Sequence, residues 1–161
     1  MKKIKIFIKV ILLSCLMIFF NFYYSQAGEN KKYVENTEER LEEGVYKIVL
    51  ATAPNQSLTI DGGKKSNGAN VHIWQYANVK QQQFRIKYDE NGYCEIIPLN
   101  SGKRLDVVGW GNEANVDQWE SNGGNDNQKW LIKKSDRGNY NIISKRQNLY
   151  LDAYQSKTVN G

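Results

Sequence analysis

From Gly44 onward the chain is written in short runs of Val, Ile, Leu, Tyr and Trp, broken at intervals of about eight to twelve residues by Gly, Asn, Asp or Ser. That spacing predicts an all-β barrel or sandwich. Within the runs the apolar positions alternate, and alternation sorts side chains to opposite faces of a strand. In Val71-His72-Ile73-Trp74 the aliphatic pair Val71 and Ile73 faces the core, which leaves His72 and Trp74 on the outer face. Val116-Asp117-Gln118-Trp119 follows the same rule with Val116 inward and Asp117 and Trp119 outward, although Gln118 then falls on the inner face. Phe84 and Trp130 begin strands that continue to Ile86 and Ile132, so both aromatics are expected in the core.

These runs recur. Gly44-Val45-Tyr46-Lys47-Ile48, Gly92-Tyr93-Cys94-Glu95-Ile96 and Gly138-Asn139-Tyr140-Asn141-Ile142 each open a unit, and Ile60-Asp61, Leu105-Asp106 and Leu151-Asp152 follow. Thirteen residues after the first two of these aspartates stand Trp74 and Trp119, and each unit then reaches a Gln-x-aromatic triplet, Gln82-Gln83-Phe84 and Gln128-Lys129-Trp130. A period of about 46 residues marks one supersecondary unit copied in tandem, each copy burying its apolar face against the next. The repeats are bounded as 44–91, 92–137 and 138–161, and the third ends at Asn160-Gly161 before its tryptophan. A complete third unit would run on for roughly 20 residues. Its absence leaves the expected barrel with unpaired strand edges.

Before Gly44 the pattern is different. Lys2, Lys3 and Lys5 flank an apolar run from Val10 to Phe20, and Ser25 and Ala27 supply small residues ahead of a cut. This is the layout of a secretory signal over residues 1–27. Lys9 keeps the apolar run shorter than the roughly 20 residues a membrane span needs. Residues 28–43, with six acidic and three basic side chains, read as a solvated linker. Of the 22 basic residues four lie in the signal, so the secreted chain carries 18 against 17 acidic ones. Near neutrality argues against the basic footprint of a nucleic-acid binder. Only Cys94 remains after cleavage, which excludes an intrachain disulfide. The 44–161 segment is long enough for one domain with its own core.

The candidate chemistry is that of sugar recognition. Each of the first two units combines an aspartate at a strand end, an outward tryptophan and, some eight residues on, an amide side chain. A pyranose packs its C–H face on an aromatic plane, while carboxylate and amide groups pair with its hydroxyls. The alternatives are ordinary core packing for Trp74 and Trp119, and turn-capping for Asp61, Asp106 and Asp152. Trp110, in a Gly-Trp-Gly loop, is either a second sugar contact or a lid over the barrel end.

The marks Gly-x-Tyr-x-Ile, Leu-Asp-Val, Asn-Gly-Ala-Asn-Val-x-x-Trp and Gln-x-Trp, spread over Gly44–Gly161, resemble those of ricin B-type lectin domains, the carbohydrate-binding β-trefoils. The resemblance implies a threefold pseudosymmetric barrel of β-hairpins with one shallow sugar pocket per repeat. By position it implies a first pocket of Asp61 as hydroxyl acceptor, Trp74 as stacking platform and His72 as lining, with Gln81 and Gln82 in the family's Asn-Gln places. The second would hold Asp106, Asp117, Trp119, Asn127 and Gln128, and is the fuller set because Gln81 and Phe84 depart from the family pattern. Repeat three offers Asp152 and Tyr154 without a stacking residue. The Gln of Gln-x-Trp is expected to brace the pocket while its aromatic fills the core.

An enzyme is not expected. Asp61 and Asp106, one repeat apart, belong to separate pockets and cannot form a glycosidase pair. His72, the single histidine, has no nucleophile motif beside it. No metal cluster or phosphate loop is apparent, so no cofactor is implied. The sequence therefore predicts a secreted lectin domain for galactose-type or polysaccharide glycans, with a toxin or glycan-active enzyme as possible partner chain. A protein-interaction trefoil such as a protease inhibitor is the alternative.

Overall fold

The computed structural model describes residues 8–12, 40–153 and 159–161. Most of the expected export signal and linker, together with Tyr154, therefore lies outside the described residues. The rest is all-β, as the alternation requires. Repeat one supplies strands β2 (Gly44–Leu50), β3 (Ala53–Ile60), β4 (Ala69–Gln75) and β5 (Phe84–Tyr88). Repeat two supplies β6 (Cys94–Pro98), β7 (Arg104–Val108), β8 (Asn115–Trp119) and β9 (Trp130–Lys134). Repeat three contributes β10 (Tyr140–Ser144).

The first and fourth strands of each unit build a curled half-barrel. β2 pairs with β5 and β6 with β9, closing each repeat on itself, while the hairpins β5–β6 and β9–β10 join one repeat to the next. The second and third strands, β3–β4 and β7–β8, form capping hairpins, and β4 pairs with β8 to bring the two caps together. This is the β-trefoil plan. Residues Ile8–Leu12, inside the segment read as an export signal, pair as strand β1 with both β2 and β10. Five residue pairs tie this run of β-formers to β2 and one, Ile8–Tyr140, to β10.

The core repeats with the sequence. Ile48, Ile96 and Ile142, third-strand-position mates of the three opening motifs, are each at most 1% exposed. Phe84 and Trp130 are buried as expected, and the Trp130 indole N–H donates to the Leu105 carbonyl at 3.2 Å. Phe84 has no such donor, so repeat one lacks this tie between barrel and cap. Cys94 is fully buried in the same core, and burial pushes its thiol up to about 12. It packs as a small apolar group without thiolate reactivity.

The repeats clasp one another through Asn-Gly pairs. Gly68 N–H donates to the Gln118 carbonyl at 2.9 Å, and the Asn67 side chain accepts from Glu120 N–H at 3.1 Å. The same two bonds recur 45 residues earlier on the receiving side, where Gly161 N–H donates to Ile73 and Asn160 accepts from Gln75 N–H. Gln118, the polar residue that alternation sent inward, is wholly buried and explains itself here. Its side-chain Oε1 accepts from Ser101 Oγ at 2.7 Å, and its Nε2 donates to the Lys64 and Ser66 carbonyls at 2.8 and 3.0 Å. It is a staple between repeats one and two.

Replacing Gln118 with Leu keeps the volume and orphans three polar groups, each worth about 1–3 kcal/mol when buried without a partner. The expected outcome is a urea midpoint lowered by at least one such increment with an unchanged slope, read by equilibrium denaturation.

Candidate functional site

On the β7–β8 hairpin the register places Asp106 directly opposite Asp117, and Arg104 opposite Trp119. These four side chains share one face of the pleat. Asn127 and Gln128 are brought over that face by the 3-10 turn Asp126–Gln128, which ends as β9 begins. Asn127 Nδ2 donates to Asp106 Oδ1 at 3.0 Å and Gln128 Nε2 to Asp106 Oδ2 at 2.8 Å. Gln128 is itself fixed, accepting from Asn122 N–H at 3.2 Å and donating to the Glu120 carbonyl at 2.9 Å. The carboxylate is thus held in one orientation. Each of its oxygens retains a further lone pair.

Beside it, Trp119 is 43% exposed. Asp117 shares that outward face as the alternation predicts, but both carboxylates are largely covered, Asp106 at 6% and Asp117 at 7% exposure. Gly68 from repeat one closes over Asp117: a Cβ there would stand 3.7 Å from the Trp119 ring and 3.8 Å from Asp117 Oδ2. Gly68 has φ +75°, a conformation that side-chain-bearing residues rarely adopt. Asp117 Oδ1 is buried without a hydrogen-bond partner. Burial first, and the neighbouring Asp106 charge second, push the Asp117 carboxyl up to about 6.

Repeat one is built differently. Trp74 is 44% exposed and stacks on His72, with ring centroids 5.5 Å apart and planes at 28°. Burial lowers the His72 pKa, opposed by Asp61, so the imidazole is neutral near pH 7. The residue opposite His72 is Thr59, however, and not Asp61. Gln82 Nε2 donates to Thr59 Oγ1 at 3.1 Å, the position-mate of the Gln128–Asp106 bond. Asp61 lies two residues further on, in the 3-10 turn Asp61–Gly63, where Lys64 Nζ pairs with it at 2.6 Å. That ammonium holds its carboxyl below the usual range. The capping hairpin of repeat one is two residues longer than that of repeat two, so the matching letters Ile60-Asp61 and Leu105-Asp106 are not equivalent in space. The signal was Leu58-Thr59, two residues earlier, read in register from Trp74. Gln81 rests against Gly63, its amide carbon 3.3 Å from where a Cβ would stand. Asp152 of repeat three is exposed.

The structure therefore brings Asp106, Asp117, Trp119, Asn127 and Gln128 together. In repeat one it sets His72 opposite Thr59 with Trp74 stacked on it and Gln82 bonded to the threonine, while Asp61 lies two residues beyond, paired with Lys64 and still within electrostatic reach of His72. Clefts of about 370 Å³ lined by Arg40, Tyr88 and residues 131–136, and by 133–137 with Tyr150, include none of these residues.

A ricin-type β-trefoil lectin domain-like family model matches residues 29–119 and 80–161. Comparison with curated proteins returns no match. Among solved structures, the designed threefold-symmetric protein ThreeFoil is 31% identical, with a TM-score of 0.64 over 68% of this chain and 78% of that one. The Rhizoctonia solani agglutinin is 20% identical with a TM-score of 0.66, covering 74% of this chain and 82% of its own. A mosquitocidal holotoxin is 21% identical with a TM-score of 0.65 over 74% of this chain, which spans only 15% of the toxin.

The raised Asp117 pKa sets a pH test. An ordinary aspartate titrates near about 3.9, so in acid the folded state holds a proton that the unfolded chain has released. The associated stabilisation is complete below about pH 4 and is lost as pH rises through about 6. Asp117→Asn removes the cost of ionisation. Its melting temperature is expected to exceed that of the unsubstituted protein by more at pH 7.5 than at pH 4, with the change falling between pH 4 and 6. A pH-independent difference would contradict the assignment.

Proposed function

This chain belongs to the ricin-type β-trefoil lectin domain-like family, and from that premise we propose that it is an exported, non-catalytic glycan-binding domain whose principal site is the repeat-two pocket. The observation that carries the reading is the Asp106 carboxylate, oriented by Asn127 and Gln128 beside a half-exposed indole. Two vicinal hydroxyls of a pyranose meet the free lone pairs of Asp106, Asn127 contributes its amide, and the ring's C–H face lies on Trp119. A hydrogen bond to a charged group is worth about 1.5–3 kcal/mol net, and aromatic packing adds about 0.5–1.5. Such a site binds a single sugar in the millimolar range, where about 4.1 kcal/mol is required.

Catalysis is not supported by the pair of carboxylates in the site. Asp106 and Asp117 are cross-strand neighbours, with Cβ atoms roughly 4.5–5.5 Å apart on one surface. A glycosidase needs its two carboxyl groups on either side of the scissile bond. Side-by-side groups on one hairpin leave no room for a ring between them.

Repeat one is a weaker site in this reading. Trp74 offers a platform, but Thr59 stands where the charged acceptor would be. Galactose-type sugars or polysaccharides are the proposed ligands, and a toxin or glycan-active enzyme the proposed partner, which the likeness to the holotoxin supports only through shared fold. Export is read from Lys2, Lys3, Lys5 and the apolar run after them. Cleavage after Ala27 would remove β1 and leave β2 and β10 with unpaired edges.

A glycan array probed with the protein is expected to show binding that Trp119→Ala abolishes. Asp106→Asn, which removes the charge but keeps the shape, should weaken it roughly 10- to 100-fold. Trp74→Ala should leave most of it. Retention of binding by both Trp119→Ala and Asp106→Asn would refute the proposed site.

A further inference from the structure

Trp110 is 70% exposed, the most exposed of the large apolar side chains among the described residues. It is therefore no lid over the barrel end. It is also held still. Gln147, from repeat three, donates through Nε2 to the Gly109 carbonyl at 3.2 Å and accepts from Gly111 N–H at 2.7 Å, pinning the backbone on both sides of the indole. Arg146 stacks its guanidinium 4.1 Å from the centre of the Trp110 ring and anchors its own Nη1 on the Val107 carbonyl at 3.1 Å.

Part of this scaffold is general to the fold. Asn100 of repeat two likewise holds the loop of repeat one, donating to the Gly63 and Lys64 carbonyls, but it accepts no backbone N–H in return. What repeat two adds is the indole and the arginine. The corresponding loop of repeat one, Asp61-Gly62-Gly63-Lys64, offers an ion pair instead of an aromatic surface. The extra tryptophan thus accompanies the fully equipped pocket and is missing beside the one that lacks its carboxylate.

In the loop beyond the end of β7, Trp110 follows Asp106 by four residues, at most roughly 13 Å of extended chain. Trp119 lies on the other side of the Asp106–Asp117 pair, two residues beyond Asp117. The carboxylate therefore sits between two exposed indoles. By the hairpin register the two indoles are at least six residue positions of strand and loop apart, Trp119 two beyond Asp117 and Trp110 four beyond Asp106, a separation suited to successive rings of a chain.

We propose that Trp110 is a second stacking platform, which receives a later pyranose of the glycan whose first ring is held at Asp106 and Trp119. The inference rests on the sugar-binding reading of the repeat-two pocket and extends it: the ligand is an oligosaccharide rather than a terminal monosaccharide. Arg146 is a positioning residue that fixes the plane of the indole. Aromatic side chains held in place contribute contact area with little entropy left to lose on binding.

The test is calorimetric titration of the full chain with galactose and with galacto-oligosaccharides of two to four units. The unsubstituted protein should bind the chains more tightly than the monosaccharide, by roughly two- to tenfold for one added stacking contact. Trp110→Ala should erase that gain and leave galactose affinity unchanged. Trp110→Phe should restore most of it, and Arg146→Ala should lower it in part. An exposed side chain carries little folding energy, and thermal unfolding of each variant verifies that the fold persists. A gain that survives Trp110→Ala overturns the proposal, as does an equal loss of galactose and oligosaccharide affinity. If the unsubstituted protein binds neither galactose nor its oligomers, nor any glycan of the array, the lectin reading itself falls, and that outcome is distinct from the other two.

Discussion

A buried glutamine ties each capping hairpin to the barrel, and the difference between the two pockets lies in what that glutamine meets. Gln82 accepts from Ala77 N–H at 2.7 Å and donates to the Gln75 carbonyl at 2.9 Å. Gln128 makes the matching bonds to Asn122 and Glu120. Both are at most 1% exposed, so their polar groups have to be paired within the protein. The one remaining N–H is directed at the second position of the facing strand. In repeat one that position is Thr59, whose hydroxyl passes the bond on to the Ser57 carbonyl and ends it in the structure. In repeat two it is Asp106, whose carboxylate has lone pairs left over. The same constraint yields a closed network once and an oriented acceptor once.

The repeat-two site is consequently paid for by burying two like charges. Asp106 is stabilised by two amide donors, whereas Asp117 opposite it has an unpartnered oxygen and a carboxyl that favours its proton. A fold selected only for stability would avoid two facing carboxylates there, as repeat one does with Thr59 and His72. Retained electrostatic tension and the two indoles at 43% and 70% exposure share one hairpin. Exposed aromatic surface next to an oriented charged acceptor is the combination that recognises a ring with one apolar face and a polar rim.

The hairpin can carry this because its neighbours hold it. Asn67-Gly68 from repeat one grips its outer strand, and Arg146 and Gln147 from repeat three grip its loop. The pocket of any one repeat is thus completed by the others, and its geometry is a property of the threefold assembly.

The all-β class, the threefold plan, the core roles of Phe84 and Trp130 and the outward tryptophans were legible in the chain, because alternation and tandem copying are one-dimensional patterns. The inward Gln118 was legible too, though not its reason, since its partners Lys64, Ser66 and Ser101 come from other elements. What the letters could not determine was the length of each hairpin. Ile60-Asp61 and Leu105-Asp106 look alike in sequence, but strand register is set by which backbone groups pair across the turn, and two extra residues in repeat one put Thr59, not Asp61, in the position that Asp106 takes in repeat two. Likewise the burial of Asp117 and the pinning of Trp110 depend on loops from neighbouring repeats. Local periodicity encoded which side of a strand each residue takes; only the packed tertiary structure decided what stands opposite it.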